Sequence, residues 1–303
     1  MEPFLRKFGL FGLLILVLDL PFRWVMPQLP KLEYDWRLRR VIEGHCTEDL
    51  LVFGSSRAAR GVIPARITRA TGITAYNLGY PGASIAFQEF VLRQVLRSKK
   101  WPRIVLLVVD DPSELIATKA VNFRLDRAYP LAGDDEVNKE ICLRTGKSRW
   151  LTELLASYRI KESLPMLWTP QRPDRFDTVY SDGSMTSLLR APGMDTARFG
   201  AARRYRPEQE SAELRDTFIR FVDACAERNI RLVIVHPPDL RAPSEGFIAR
   251  IEELTHDKAI SYRYNAEQPA YSDANYYYDA SHLNRHGAIV FSDELGTWLA
   301  NER

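Results

Sequence analysis

The segment from Arg103 to Val109, RIVLLVV, limits this chain more than any other. It is apolar, rich in β-branched residues and shows no alternation, the pattern of a strand buried on both faces of a parallel sheet. Similar runs recur. EDLLVFGSSRAARGVIP reads as a buried strand from Asp49 to Phe53 that runs into a turn, and TAYNLGYPGAS as a short strand to Leu78 followed by a glycine-bearing loop. RLVIVHPP reads as a strand ended by Pro237 and Pro238, and AISYRYNA as one more. Helical periodicity separates them. IAFQEFVLRQVLRSKK repeats apolar residues at Phe87, Val91, Val95 and Leu96, and SAELRDTFIRFVDACAERNI carries a stripe of Leu214, Phe218, Phe221, Val222 and Cys225. EGFIARIEELTHD is a further helix. The last, about His286 to Asn301, presents Ala288, Phe291, Leu295 and Trp298 after Asn284 as N-cap. The expected fold is α/β: a mostly parallel, flavodoxin-like sheet flanked by helices in a three-layer sandwich.

The rhythm stops in the middle of the chain. Between about 112 and 207 the segments LAGDD, WTPQRPDRFD, SDGSM and RAPGMD are punctuated by proline and glycine, with one helix expected near SRWLTELLASYRIKESL. This region reads as an insertion or cap over a site, with Asp182-Gly183 as a turn. Its basic cluster, Arg198, Arg203, Arg204 and Arg206, reads as a solvated face or as a contact for anionic glycan or lipid headgroups. The organisation expected is a membrane anchor over 1–28, a linker over 29–48 and a catalytic domain over 49–303.

The N-terminus carries FGLFGLLILVL after Arg6 and Lys7. As a helix this run spans about 16 Å, and extension to Met26 gives about 28 Å, near bilayer thickness, while including Asp19, Pro21 and Arg23. No small-residue cleavage site follows, so an uncleaved anchor is expected in preference to a cleaved signal or a buried helix. Asp19 is easier to explain facing protein than facing lipid. Flanking charge is ambiguous: Arg6 and Lys7 precede the span, whereas Arg23, Lys31, Arg37, Arg39 and Arg40 follow it.

A net charge of +3 is too mild to imply nucleic acid. The cysteines, Cys46, Cys142 and Cys225, have no zinc-type spacing, and no metal or cofactor is expected. Cys225 reads as a buried thiol, and Cys46 with Cys142 as a possible disulfide.

In a parallel sheet, ligands bind beyond the carboxyl ends of the strands. Three loops reach that rim: GSSR, NLGYPGAS and DASHLN. A serine hydroxyl is a poor nucleophile until an imidazole accepts its proton, and a carboxylate on the other imidazole nitrogen fixes the tautomer. Ser56, His282 and Asp279 are the candidates for these roles. Backbone N–H groups of Ser56 and of Gly82, which lacks a Cβ, are candidates for an oxyanion hole. Arg57, Asn77 and Asn284 are candidate substrate-binding residues, although Arg57 could equally pair with Asp110 or Asp111. His236 reads as structural, and NYYY reads as aromatic packing or as a sugar-stacking platform.

FGSSR, NLGYPG and DASH, in that order, resemble the SGNH (GDSL-type) hydrolase superfamily over about two-thirds of the chain. The resemblance implies Ser56 as nucleophile, Gly82 as oxyanion glycine, Asp279 as orienting carboxylate and His282 as base. Ser55 stands where the family often has aspartate. The family's third block, Gly-x-Asn-Asp, is replaced by VVDDPSEL, so Asp110 and Asp111 stand where an asparagine donor is expected. GSSR, the apolar N-terminus and DASHLNRHGA look most like the membrane-anchored branch, which includes proteins similar to the teichoic-acid D-alanine-transfer and alginate-type O-acetylation proteins. That likeness implies an extracytoplasmic O-acyltransferase acting on a polysaccharide beside a multispanning membrane acyltransferase. An esterase or deacetylase of acylated glycans, and a non-catalytic glycan-binding scaffold, are the alternatives.

Overall fold

The computed structural model describes residues 2–169, 171, 173, 178–194 and 204–302. In chain order the elements begin with α1 (Glu2–Val25), α2 (Arg37–Ile42), β1 (Leu50–Gly54), α3 (Ser56–Gly61), α4 (Pro64–Thr71), β2 (Ala75–Asn77), α5 (Ile85–Val95) and β3 (Ile104–Val108). Then come α6 (Leu125–Ala128), α7 (Asp135–Thr145), α8 (Arg149–Leu154), α9 (Ala156–Ile160) and α10 (Ala212–Ala226). The chain closes with β4 (Arg231–His236), α11 (Glu245–Thr255), β5 (Ala259–Arg263) and α12 (Arg285–Asn301). It divides into two compact units, Met1–Glu43 with Arg124–Pro173 and Gly44–Phe123 with Asp174–Arg303.

The larger unit holds the sheet, ordered β2-β1-β3-β4-β5 with every pairing parallel. β1 and β3 are wholly buried, which explains why their sequences do not alternate. The faces are still distinct. Leu50, Val52, Leu106, Val108, Val233 and Val235 share a core cluster with Phe291 and Leu295 of α12. On β1 the intervening residue Phe53 meets Phe221 of α10 edge-on at 5.5 Å. Helices α3, α4 and α12 pack together, as do α5 and α10. The three-layer α/β architecture expected from the sequence is therefore present. The strand order reverses direction between β1 and β3, and a crevice opens at such a point beyond the carboxyl ends of the strands.

The smaller unit corrects two expectations. Residues 29–48 are not simply a linker: they contain a 3-10 turn ending at Lys31 and helix α2, and Leu29, Arg37, Leu38 and Val41 are buried. The fully buried Arg37 guanidinium pairs with Asp35 at 2.7 Å, and Arg127 reaches Glu33 at 2.5 Å, so these charges are partnered where water is excluded. The insertion about 112–207 is likewise not one body. Its central part folds with the N-terminal segment, and 178–194 lies in the sheet-bearing unit, where Met185 N–H bonds the Ala59 carbonyl.

Helix α1 continues through Pro21 to Val25 and is long and apolar enough to cross a membrane. Asp19 faces protein: its carboxylate accepts the N–H groups of Ala156 and Ser157 at 2.8 and 2.7 Å. This contact accounts for another difference. The single helix expected around 148–164 breaks at Leu155, whose backbone is extended, because Asp19 takes the two N–H groups that would have continued the helix. Cys46, Cys142 and Cys225 are all buried, and Cys225 lies on the buried face of α10 as expected. Arg204 and Arg206 are exposed, as both readings of the cluster require, whereas Arg198 and Arg203 lie outside the described residues. Asp182-Gly183 forms the expected turn, with Gly183 at φ +82°.

Candidate active site

The end of β1 is bent by Gly54, whose φ is +137°. A Cβ there would lie 2.5 Å from the Val108 carbonyl oxygen and 2.7 Å from the Ala58 Cβ, so only glycine fits. Gln88, buried on α5, holds the same residue through both of its peptide groups: its oxygen accepts the Gly54 N–H and its amide donates to the Gly54 carbonyl. Ser55 follows and donates its hydroxyl to the Asp110 carboxylate, a bond that joins the ends of β1 and β3 across the reversal. Ser56 then opens α3.

Ser56 Oγ lies 2.7 Å from His282 Nε2. The histidine sits on a loop closed by an antiparallel bridge between Tyr277 and Leu283, and Leu240 N–H bonds the Ala280 carbonyl at 2.9 Å. Within this loop His282 Nδ1 is 2.8 and 2.9 Å from the two Asp279 oxygens. Asp279 also accepts the N–H groups of Ser281 and His282 at 2.9 and 3.0 Å. Burial pushes the Asp279 carboxyl upward, but the bond and charge of His282 and the two N–H groups outweigh it and hold it well below the usual carboxylate range. An ionised Asp279 can only accept, so in the neutral imidazole Nδ1 carries the proton and Nε2 offers its lone pair to the Ser56 hydroxyl.

Backbone donors are also available. As the first residue of α3, Ser56 has an N–H with no helical acceptor. Leu78 and Tyr80 N–H groups bond the Val52 and Gly54 carbonyls at 2.7 and 3.0 Å, so the second loop runs beside the end of β1 before reaching Gly82. Among the described residues neither the Ser56 nor the Gly82 N–H has a hydrogen-bond partner.

The candidate substrate contacts fare differently. Asn77 is fully buried; its amide donates to the Ala58 and Val62 carbonyls and its oxygen accepts the Gly79 N–H, so it is a structural brace, not a substrate ligand. Asn284 is likewise occupied, capping α12 through His286 and Gly287 N–H and donating to the Asn275 and Tyr277 carbonyls. Arg57 donates to the Pro237 and Pro238 carbonyls and lies 3.8 Å from Asp110 and 3.7 Å from Asp239. Asp110 accepts from Ser55 and supplies no donor in place of the missing asparagine. Its backbone N–H bonds Glu114, whose carboxyl is pushed up to about 8 by burial and the nearby Asp110 charge.

Arg57 also lines a cavity of about 260 Å³ at the carboxyl ends of β4 and β5, with His236, Arg241, Phe247, Arg263 and Tyr264 among its walls. Ser56, Asp279 and His282 are not among its walls. Burial, with the Arg263 charge next, pulls His236 down to about 4, which favours its neutral form. Tyr277 of NYYY is fully buried and donates to the Tyr271 carbonyl, which makes it packing. Gln88 and Glu114 shape the site without having been singled out from the sequence. No local signal marked Gln88, because its helix also carries Glu89, Arg93 and Gln94. No protein-family model and no curated protein matches this chain.

Proposed function

We propose that this protein is a membrane-anchored serine O-acyltransferase resembling the SGNH superfamily, which moves an acyl group, acetyl in the simplest case, onto an extracytoplasmic polysaccharide. The observation that carries this reading is the hydrogen-bonded series Ser56–His282–Asp279 at the point where the strand order reverses. In the first half-reaction Ser56 Oγ attacks the acyl carbonyl while His282 Nε2 takes its proton. The N–H groups of Ser56 and Gly82 are the proposed partners of the oxyanion. As the tetrahedral adduct collapses, the leaving group departs with the proton from His282 and an acyl-Ser56 ester remains. In the second, a sugar hydroxyl attacks that ester, His282 takes its proton, and Ser56 leaves and recovers it. Asp279 keeps the tautomer and stabilises the imidazolium. Helix α1 supports a membrane location, and the resemblance supports an extracytoplasmic domain working with a multispanning acyltransferase.

A second reading, an esterase or deacetylase of acylated glycans, is favoured by the access of water: the side chains of His282 and Asp279 remain 21% and 37% exposed. Transfer and hydrolysis differ only in which hydroxyl resolves the acyl-serine. The test is the purified protein treated with a serine-directed fluorophosphonate, followed by ester analysis of the polysaccharide from cells carrying Ser56→Ala. Labelling at Ser56 together with loss of glycan esters supports transfer. Labelling with a gain of esters supports the deacetylase. No labelling of the wild type overturns both and leaves the scaffold.

A further inference from the structure

The smaller unit carries large apolar side chains on its surface that its own core does not use. Trp24, Trp150 and Trp168 are 81%, 67% and 77% exposed, and Leu143, Leu154 and Leu167 are also exposed. The backbone at Leu154, Ala156 and Ser157 is tied to α1 by specific bonds. Asp19 receives the N–H groups of Ala156 and Ser157, and Arg23 Nη2 donates to the Leu154 carbonyl at 2.8 Å. Both anchors lie on the last two turns of α1, so the junction of α8 and α9 is held where that helix ends. Leu154 is therefore beside Arg23, the neighbour of Trp24. Trp150, four residues earlier on α8, shares the face of Leu154.

Tryptophan is enriched where bilayer meets water, because its ring is largely apolar yet carries one donor. The charged side chains around these residues are mostly satisfied internally: Arg149 with Glu153 at 2.8 Å, Lys147 with Glu162 at 2.8 Å, and Arg144 with Glu140 at 2.9 Å. Attraction to anionic lipid is thus a minor part of any binding, and apolar insertion the major part.

We propose that the segment from Leu143 to Trp168 is a second membrane contact, lying in the headgroup boundary of the bilayer that α1 crosses, with Trp150 and Trp168 inserted. The occupant of this surface is lipid, because the surface continues from a helix whose apolar side chains are themselves unburied. Asp19 then joins a spanning element to an interfacial one and fixes the depth of both. The inference rests on α1 as a span and is independent of the acyl chemistry.

The test uses the full-length chain in nanodiscs of phosphatidylcholine alone, with a polarity-sensitive fluorophore on Trp150→Cys, Trp168→Cys, Leu13→Cys or Trp101→Cys. Leu13 reports on the span and Trp101 on the sheet-bearing unit, and labelling of the unsubstituted protein supplies the background. The result expected is quenching by spin-labelled lipid at 150 and 168 several-fold above that at 101, with the 13 label quenched most. Quenching at 13 with 150 and 168 as water-accessible as 101 would overturn the proposal and leave the span intact. That outcome would point to a protein partner covering the surface. An unquenched label at 13 would overturn span and platform together, without touching the assignment of Ser56.

Discussion

Ser56 Oγ and His282 Nε2 stand 2.7 Å apart although 226 positions separate them in the chain. The distance is that of a formed hydrogen bond, so the proton transfer proposed for Ser56 needs no rearrangement. Ser56→Ala is expected to abolish fluorophosphonate labelling. His282→Ala is expected to slow it by about 10²–10⁴-fold, and Asp279→Asn by up to roughly 10⁴-fold through the wrong tautomer. Labelling rates check all three, and undiminished labelling of Ser56→Ala sinks the assignment.

Gly54 should not tolerate alanine. The added Cβ meets the Val108 carbonyl oxygen and Ala58 at distances no real Cβ occupies, in a backbone conformation that alone costs about 1–3 kcal/mol. Urea denaturation should show Gly54→Ala markedly destabilised, and a wild-type midpoint would contradict the packing described at the end of β1.

Asn77 and Asn284 should behave as structural residues. Asn77→Leu removes the side-chain donor to the buried Val62 carbonyl, one of two donors to the Ala58 carbonyl and the acceptor of the Gly79 N–H, at about 1–3 kcal/mol for a buried group left unsatisfied. Asn284→Ala removes the cap of α12 and should cost about 0.5–2 kcal/mol. Stability falls in both, while labelling of the remaining folded protein stays near wild type. An unchanged melting curve with lost labelling would return them to a role in substrate binding.

Glu114 makes stability fall as pH rises. Its carboxyl titrates near 8 when folded against an ordinary value of 4.5, so between those values the folded chain binds more protons than the unfolded one. Stability is full below pH 4.5 and declines toward pH 8. Glu114→Gln keeps an acceptor for the Asp110 N–H and removes the titration. Its advantage over wild type in urea midpoint should therefore grow from pH 5 to pH 8, and a constant difference would refute the assignment.

His236 acts in the opposite direction. Folded, it titrates near 4 against an ordinary 6.5, so the unfolded chain binds the extra proton in that window and stability is lost as pH falls from 6.5 to 4. His236→Phe should remove this loss, seen as a flatter dependence of melting temperature on pH across the same range. A slope equal to wild type would show that another group carries it.

Much of the architecture is legible in local patterns. RIVLLVV and RLVIVH are strands because apolar β-branched runs of that length suit a doubly covered sheet, and the stripe ending at Cys225 is a helix because its spacing matches one. The Asp279–His282 pair is legible too, since three residues on one loop are enough to bring a carboxylate to an imidazole. Asn284 is legible as the N-cap of α12, whereas Asn77 is not legible as a brace, because a polar residue at a strand end looks the same in sequence whether it serves substrate or backbone. Only the location of the unsatisfied carbonyls and N–H groups decides, and that depends on neighbouring segments.

The chain alone determined its strands, the helices α5, α10, α11 and α12, the apolar N-terminal segment and the loops bearing serine, histidine and aspartate, because these follow from side chains within a few positions of each other. Tertiary structure alone decided the β2-β1-β3-β4-β5 order, the meeting of Ser56 with His282, the bond from Ser55 to Asp110, and the joining of residues before Glu43 to those after Arg124. The reason is physical. Burial of apolar faces and the pairing of buried polar groups are satisfied among segments distant in sequence, so which partners meet is a property of the whole packed chain.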